Sequence, residues 1–377
     1  MVITSLFFAT NRKHRGNNQW SPSGYGKNFS KDGMQNLRFG ELKLQVNERV
    51  VQNFLTIEAD GRQGNGEQLA KYLTGLVKKA KITAYKEETA DADEEIPSEN
   101  NPSTKLFKSL KKLMENAADV VVYIHGYNVS WEEAVGAAMA LQYMFNKNRD
   151  SHQKDVVVVL FSWPSDGSLL PFAAYKSDRS DAEGSGHAVG RAILKLRDFL
   201  VKLRQNSLKQ DEKLCNQEIH LLCHSMGNYV LQNALGKMIE HAEGPSLPRI
   251  FDHLFLCSAD VNDDVLETDQ PMSRLHELGR NITIYFNKGD IALRISDSTK
   301  GNPERLGHSG NAHPYLVHNK VHQADCSQIV GGLVEHNYYL WATVNEDIRL
   351  SIEGIEFDDN NLRRRQRRGH SNEWVLK

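Results

Sequence analysis

Residues 218–238, EIHLLCHSMGNYVLQNALGKM, constrain the fold of this chain more than any other stretch. Residues 219–223 form an apolar run with the length of a buried strand, and apolar residues recur at helical spacing after residue 229. Since only a few residues separate the two patterns, the central side chain of the turn must point outward at the top of a sheet. That position holds Ser225, and this strand–turn–helix pattern is typical of the nucleophile elbow, G-x-S-x-G.

The elbow departs from that pattern at one position, because Cys223 replaces the first glycine. Cysteine is small enough to be tolerated there, and Gly227 is in place. A serine in this turn lies beside the first free amides of a helix, which can hold a developing negative charge. The alternative is a buried strand followed by an ordinary serine N-cap, and the turn alone leaves it open.

A second strand-to-helix turn is predicted upstream. The apolar run DVVVYI at residues 119–124 is followed by HGYN, and Ser130 then begins a predicted helix over 130–144. In a serine hydrolase a turn of this kind supplies one of the oxyanion amides, so Tyr127, directly after Gly126, is the candidate donor. A plain strand–helix turn with a buried His125 is the alternative.

Strands alternate with helices along much of the chain, which predicts an α/β fold with a mostly parallel sheet and helices on both faces. In such sheets ligands bind at the carboxyl ends of the strands. Further strands are predicted at residues 5–10, 41–46, 54–58, 155–161, 253–257, 281–286 and 320–324, and helices at 68–79, 106–116, 182–203 and 336–347.

The acid of a serine–acid–histidine triad is expected after a strand that follows the nucleophile's strand. Asp260 and Asp290 both meet this condition. We favour Asp290, because the sequence NKGD places a tight turn under its carboxylate. Asp260 is the alternative acid, better suited to a supporting or capping role.

Histidine is the expected base, because its usual pKa of about 6.5 suits proton transfer near neutral pH. His336 follows the last predicted strand, at the start of the last predicted helix, so a loop can carry it over Ser225. His313 is the next choice. The other histidines between Asp290 and the last helix are His308, in a glycine-bearing loop, and His318 and His322, which are expected to pack.

Several motifs together resemble those of the α/β-hydrolase superfamily, and more closely a bacterial branch of unknown function. In the family's order they are FATNR at 8–12, IHGYN at 124–128, FSWPSDG at 161–167, CHSMGN at 223–228, DIAL at 290–293, RLG at 305–307 and HNYY at 336–339. The resemblance covers residues 6–347. It implies Ser225 as nucleophile, Asp290 as acid and His336 as base, with the amides of Tyr127 and Met226 as oxyanion hole. It implies no particular substrate.

One α/β-hydrolase domain is expected over residues 1–350. Residues 87–103 are acidic and contain two prolines, which predicts an exposed surface insertion. Residues 164–190 are a candidate cap or rim of the pocket, with Trp163 as a candidate substrate contact. Residues 351–377, which include RRRQRR, are predicted to be a solvated C-terminal tail.

Composition limits the kinds of partner and the cellular compartment that are expected for the protein. A formal net charge of -2 gives no electrostatic reason to expect nucleic acid as partner. No apolar run reaches the roughly 18 residues of a membrane helix. The four cysteines lack metal-ligand spacing, and two of them lie in strand-like runs, which favours reduced thiols and a cytoplasmic protein.

The sequence therefore predicts a serine hydrolase, esterase- or lipase-like, that acts on a small-molecule ester or acyl compound through an acyl-enzyme. Neither a metal nor a cofactor is expected to take part. Two alternatives remain: a non-catalytic α/β-hydrolase-like binding module, and an acyltransferase that uses the same site. The sequence leaves the oligomeric state open.

Overall fold

The computed structural model of the chain describes residues 1–56, 64–85, 102–115, 118–147, 155–165, 171–210, 217–242, 244–293, 303–330, 335–359, 362–367 and 372–377. The predicted acidic insertion lies almost entirely outside these residues. Its last two positions, Pro102 and Ser103, are buried at the start of a helix, so the insertion ends earlier than predicted.

Eleven of the described strands form one sheet, in the order β12-β13-β11-β10-β9-β8-β6-β7-β1-β4-β5, and β2 and β3 form a separate hairpin. The strands are β1 Val2–Thr10, β2 Arg12–Arg15, β3 Gly24–Phe29, β4 Arg38–Val46, β5 Lys81–Ala84, β6 Ala118–Ile124, β7 Asp155–Ser162, β8 Ile219–His224, β9 Phe251–Cys257, β10 Gly279–Phe286, β11 Val321–Asp325, β12 Arg364–Gln366 and β13 Glu373–Leu376.

The described α-helices are α1 Glu48–Leu55, α2 Gly66–Leu76, α3 Pro102–Glu115, α4 Trp131–Asn146, α5 Pro171–Gln210, α6 Gly227–Glu240, α7 Leu306–Ser309 and α8 Ala342–Ile352. Short 3-10 turns lie at Val77–Lys79, Leu275–Glu277, Pro314–Leu316 and Tyr338–Leu340. None of the helices in the described ranges combines the length and the hydropathy of a membrane span.

The centre of the sheet is parallel, as predicted. Every neighbouring pair from β13 to β1 runs parallel, whereas β12, β4 and β5 pair antiparallel at the two sides. The chain leaves β6 for β7 on one side and later returns to place β8 on the other. This reversal of strand order opens a crevice at the carboxyl ends of β6 and β8, which is where ligands bind in open α/β sheets.

The two faces of the sheet belong to two separate hydrophobic clusters. On β6, Val121 and Tyr123 join the cluster that contains α2, α4 and α8, whereas Val120 and Ile124 join the cluster that contains α3, α5 and α6. Alternate residues of a strand point to opposite faces. Helices therefore cover both faces, which confirms the predicted α/β architecture.

Several predicted elements are wrong in kind or in length. Residues 54–55, predicted as part of a strand, end helix α1, whose N-cap is Asn47. The hairpin β2–β3 lies between the strands predicted at 5–10 and 41–46, where no element was predicted. Helix α5 begins at Pro171 rather than at residue 182, so most of the predicted rim is the first part of one 40-residue helix. Residues 166–170 lie outside the described ranges.

The predicted solvated tail is wrong in its described part. Strand β13 pairs with β11 and β12 pairs with β13, so both belong to the sheet. Arg364 forms a buried ion pair with Asp347 of α8 through two of its nitrogen atoms. The tail was predicted to be solvated because a run of arginines usually faces solvent. The sequence does not show that Asp347 is a buried partner for Arg364. The limits of the domain remain a prediction.

Candidate active site

Ser225 occupies the sharp turn between β8 and α6, in a strained backbone conformation. Its φ is 52°, in the left-handed region that non-glycine residues seldom adopt. The surrounding chain holds it there. The Ser225 N–H donates to the Cys257 carbonyl at 2.9 Å, and the buried Asn228 side chain donates to the carbonyls of Cys223 and Ser225 at 3.1 and 3.0 Å. The strain is therefore maintained by bonds to the neighbouring strand and helix.

Two glycines let this turn pack against the turn after β6. A Cβ on Gly227 would lie 2.6 Å from the Ile124 carbonyl oxygen and 2.7 Å from that of His125. A Cβ on Gly126 would lie 2.7 Å from the Ser225 Cβ. These distances are too short for any side chain, so the two turns interlock through paired glycines.

The N-terminus of α6 lies directly after the serine. Met226 is its N-cap residue, and this residue makes no side-chain hydrogen bond that caps the helix. The first amides of a helix carry the positive end of its dipole. This terminus can therefore donate to a negative charge that develops beside Ser225.

Asp290 and His336 lie together, as predicted. His336 Nδ1 is 2.7 Å from Asp290 Oδ2, and the Asp290 side chain is fully buried while that of His336 is 20% exposed. The turn after β10 fixes the carboxylate, because the Asp290 N–H donates to the Asn287 carbonyl and the Leu293 N–H donates to Asp290 Oδ1. The pair has the geometry of a histidine oriented by a buried acid.

The main chain of His336 is anchored to residues that flank the elbow. Its carbonyl accepts hydrogen bonds from Ser258 Oγ at 2.8 Å and from His224 Nε2 at 3.1 Å. The His224 and His336 rings are 4.8 Å apart. Burial, with His336 as second cause, keeps the pKa of His224 well below its usual value, so His224 stays neutral. No hydrogen bond of the described residues joins Ser225 Oγ to His336; such bonds are often long in unliganded sites.

The loop between β6 and α4, which contains Tyr127, is held by a buried arginine. Arg12 Nη2 donates to the Val129 carbonyl at 2.7 Å, Nε donates to Ser162 Oγ at 2.9 Å, and Nη1 donates to the Gly26 carbonyl at 3.1 Å. Burial lowers the pKa of Arg12 to about 9, and the nearby Asp178 carboxylate opposes that shift. The guanidinium thus ties the loop to β7 and to the hairpin.

Asp178 of α5 holds the same loop from the other side. Its carboxylate accepts hydrogen bonds from the Asn128 N–H at 3.1 Å and from Ser165 Oγ. Asn128 has φ 54°, so this turn also stores backbone strain. The position of the Tyr127 amide therefore depends on a buried carboxylate, Asp178, and a buried guanidinium, Arg12, that are distant from it in sequence.

Trp163 does not lie where a substrate contact was predicted. Its side chain is fully buried, its Nε1 donates to the His125 carbonyl at 2.8 Å, and its ring stacks on the His125 ring at 5.3 Å. Burial is the largest cause that lowers the pKa of His125 to about 3. We correct the role of Trp163 accordingly: it supports the turn after β6. Its position after a predicted strand did not show whether its ring would line a pocket or be buried.

The alternative acid and bases have other partners. Asp260 accepts from the Tyr175 hydroxyl at 3.0 Å and lies 3.3 Å from Arg305 Nε, which fits a supporting role. His313 contacts Glu267 at 3.1 Å. The remaining histidines pack as follows: His308 bonds Ser309, His318 stacks on His276, and His322 stacks on Phe357.

Sequence reasoning missed four residues that position the site: Arg12, Asp178, His224 and Ser258. Arg12 and His224 belong to motifs that carried the resemblance, but neither was assigned a role. Ser258 has φ 46°, which the sequence gives no sign of. Within the described ranges no group of histidine, cysteine or acidic side chains has the arrangement of a metal site.

Comparisons with known proteins identify the family. The family model described as "Alpha/beta hydrolase of unknown function (DUF900)" matches residues 98–344, more than half of the chain. The uncharacterized protein alr1448 of Nostoc sp. is 28% identical over 166 residues, which are 39% of this chain and 38% of that protein. The match thus spans well under half of that relative. No solved structure matches the chain.

Proposed function

Because the chain belongs to the family of alpha/beta hydrolases of unknown function, we propose that it is a serine hydrolase of esters or related acyl compounds. Ser225 is the nucleophile, His336 the general base and Asp290 the acid that orients the base. One observation carries this proposal: His336 is held at both ends, its ring by Asp290 and its carbonyl by His224 and Ser258 beside the elbow.

The first chemical step forms an acyl-enzyme. Ser225 Oγ attacks the carbonyl carbon while His336 Nε2 takes the hydroxyl proton. With Nδ1–H donated to Asp290, Nε2 is the acceptor tautomer that this step requires, and the carboxylate stabilises the imidazolium that forms. His336 then protonates the leaving group. Water, deprotonated by the same nitrogen, resolves the acyl-enzyme.

The negative charge on the carbonyl oxygen is assigned to two backbone amides, those of Tyr127 and Met226. The Met226 amide lies at the open N-terminus of α6. The Tyr127 amide lies in the loop that Arg12 and Asp178 hold. Donors that are fixed before reaction contribute about 10²–10³ in rate each, which explains why a loop would be braced by buried charges.

A fluorophosphonate probe tests the proposal. We expect covalent labelling of the purified protein, located at Ser225 by mass spectrometry and abolished in Ser225→Ala and His336→Ala. His313→Ala is the matched control, since it removes the alternative base, and it should label like the wild type. Loss of labelling in His313→Ala with retention in His336→Ala would reassign the base.

The same site could pass its acyl group to an acceptor other than water. Product analysis with short- and long-chain esters and added alcohols separates transfer from hydrolysis. A folded wild-type protein that neither labels nor cleaves any ester would instead fit a non-catalytic binding module. A cytoplasmic location is part of the proposal, because Cys223, Cys257 and Cys326 are free and buried.

A further inference from the structure

A large apolar cavity lies away from the candidate active site, between the sheet and the helices α3 and α5. Its volume is about 680 Å³, within the range of about 300–1,000 Å³ usual for small-molecule sites. Leu106 and Phe107 of α3, Ile193 and Leu196 of α5, and Val122 of β6 contribute to its apolar wall. None of the triad or oxyanion residues assigned above lines it.

The wall of the cavity consists mainly of hydrocarbon side chains. Water inside it would find few hydrogen-bonding partners, and apolar surface left in contact with water forgoes about 25 cal/mol of burial free energy per Å². An apolar occupant would cover this surface.

Its two ends differ in polarity. Ile124 and Phe161, at the carboxyl ends of β6 and β7, line one end, and Glu218 and Asp252, at the amino ends of β8 and β9, line the other. Glu218 precedes Ile219, which pairs with Val120, so the cavity follows about five residues of β6. At about 3.3 Å per residue this is about 17 Å, and an extended chain advancing about 3.6 Å per three bonds would place roughly 14 carbon atoms there.

Among the described residues that line the polar end, one cation is available to a ligand. Asp252 pairs with Arg280 at 2.9 Å, and Lys111 pairs with Glu115 at 3.1 Å. Arg249 also lines this end; it is exposed and has no ion pair or hydrogen bond among the described residues.

Burial, with Asp252 as second cause, raises the pKa of the Glu218 carboxyl. The other two carboxylates at the polar end, those of Asp252 and Glu115, already have cationic partners. A ligand with an anionic head would therefore meet Arg249 without displacing an existing pair.

We propose that this cavity is a binding site for a single long-chain carboxylate, with its head at Arg249 and its hydrocarbon chain along β6. Its polar end lies at the amino ends of β8 and β9, whereas Ser225 follows the carboxyl end of β8. It is thus a second site, and it does not depend on the proposed hydrolase activity.

Calorimetric titration of the Ser225→Ala protein with saturated carboxylates tests the proposal without turnover. From octanoate to tetradecanoate we expect affinity to rise about fourfold per added methylene, the factor that corresponds to burial of one CH₂. Beyond about 14 carbons the rise should stop, because the cavity ends. An absence of binding, or affinity that is independent of chain length, would overturn the proposal.

One pair of variants tests the location of the hydrocarbon chain. Leu200 lines the cavity, and Val201, the next residue of α5, is 50% exposed and does not. Leu200→Trp should lower the affinity for tetradecanoate at least about tenfold by filling the space, and Val201→Trp should leave it unchanged. Equal binding by both folded variants would contradict the location.

The head group is tested at exposed residues, which keeps the fold intact. Arg249→Gln should weaken binding of tetradecanoate about tenfold and leave tetradecanol binding unchanged, because only the carboxylate uses the guanidinium. Lys112→Gln, at an exposed lysine of α3, is the control and should bind both ligands like the wild type. If Arg249→Gln changes neither affinity, the assignment of a carboxylate ligand is wrong.

Discussion

The two turns that meet at the carboxyl edge of the sheet have similar backbones, but the helices that follow them are capped differently. Each joins a central parallel strand to a helix, and each contains a residue with positive φ, Asn128 after β6 and Ser225 after β8. Helix α4 begins with a complete capping box, in which Ser130 accepts from the Glu133 amide and Glu133 accepts from the Ser130 amide. Helix α6 has no side-chain cap.

This difference in capping suits the first helix end to stabilising the fold and the second to interacting with a ligand. The capping box satisfies the first amides of α4 within the protein, so that helix end contributes to folding. The first amides of α6 have no such side-chain partner, and the adjacent serine is strained, so that helix end can act on a ligand. Buried Arg12 and Asp178 supply, for the first turn, a rigidity that the second turn obtains from Asn228.

The largest expected effect is at the uncapped turn. Ser225→Ala should lower ester hydrolysis by roughly 10⁴–10⁶, because the proposed nucleophile is removed. The free energy of unfolding should stay within about 1 kcal/mol of the wild type, since the Ser225 side chain makes no hydrogen bond to the described residues. Steady-state kinetics and chemical denaturation measure the two quantities. Retention of activity would show that the two turns do not divide these roles.

The interlocking of the turns predicts the next effect. Gly227→Ala places a Cβ against two backbone oxygens, so the free energy of unfolding should fall by roughly 1–3 kcal/mol. Gly236→Ala lies on the same helix with open space around its Cβ and should be neutral or stabilising by up to about 1 kcal/mol. Equal stabilities, measured by urea denaturation, would mean that the turns can separate without cost.

The buried imidazole of the first turn predicts a pH dependence. The folded pKa of His125, about 3, lies below the unfolded value of 6.5, so the unfolded state binds more protons between these pH values. Stability that is present above pH 6.5 is therefore lost as the pH falls, by at most about 1.4 kcal/mol per pH unit for this residue.

Denaturation at pH 7.5, 6.5, 5.5 and 4.5 tests this dependence. His125→Asn should flatten the slope, whereas His241→Asn, at an exposed position, should not change it. An unchanged slope in His125→Asn would show that His125 does not carry this part of the acid sensitivity.

The smallest effect is expected at the capped turn. Ser130→Ala should lower the free energy of unfolding by about 1 kcal/mol, because the Glu133 amide loses its acceptor. Hydrolysis should remain near the wild-type rate. A loss of activity as large as that of an oxyanion donor, about 10²–10³, would show that the cap positions the Tyr127 amide as well.

The parts of the site that follow from local patterns were predictable. A buried strand, a short turn and an apolar run at helical spacing predicted the turn that holds Ser225, and strand order led to Asp290 and His336, which the structure brings together. The N-cap signal at Asn47 and Glu48 was also present, and a strand assignment that was mistaken at residues 54–55 obscured it.

The parts that depend on distant partners were not predictable. Arg12 is buried because Val129, Ser162 and Gly26 surround it, and Arg364 is buried because Asp347 neutralises it. In a sequence, both arginines indicate a solvated surface. A single sequence contains no information about which buried acceptor a charged side chain will meet.

The hydrogen bond from His224 Nε2 to the His336 carbonyl gives the site a built-in spectroscopic reporter. His224 is 4% exposed, so its ring N–H proton should exchange slowly with water and resonate apart from the bulk of the amide protons. The line width and exchange rate of that proton would follow every movement of the loop that carries His336. Proton NMR can therefore follow the position of the proposed base while the proposed nucleophile remains unmodified.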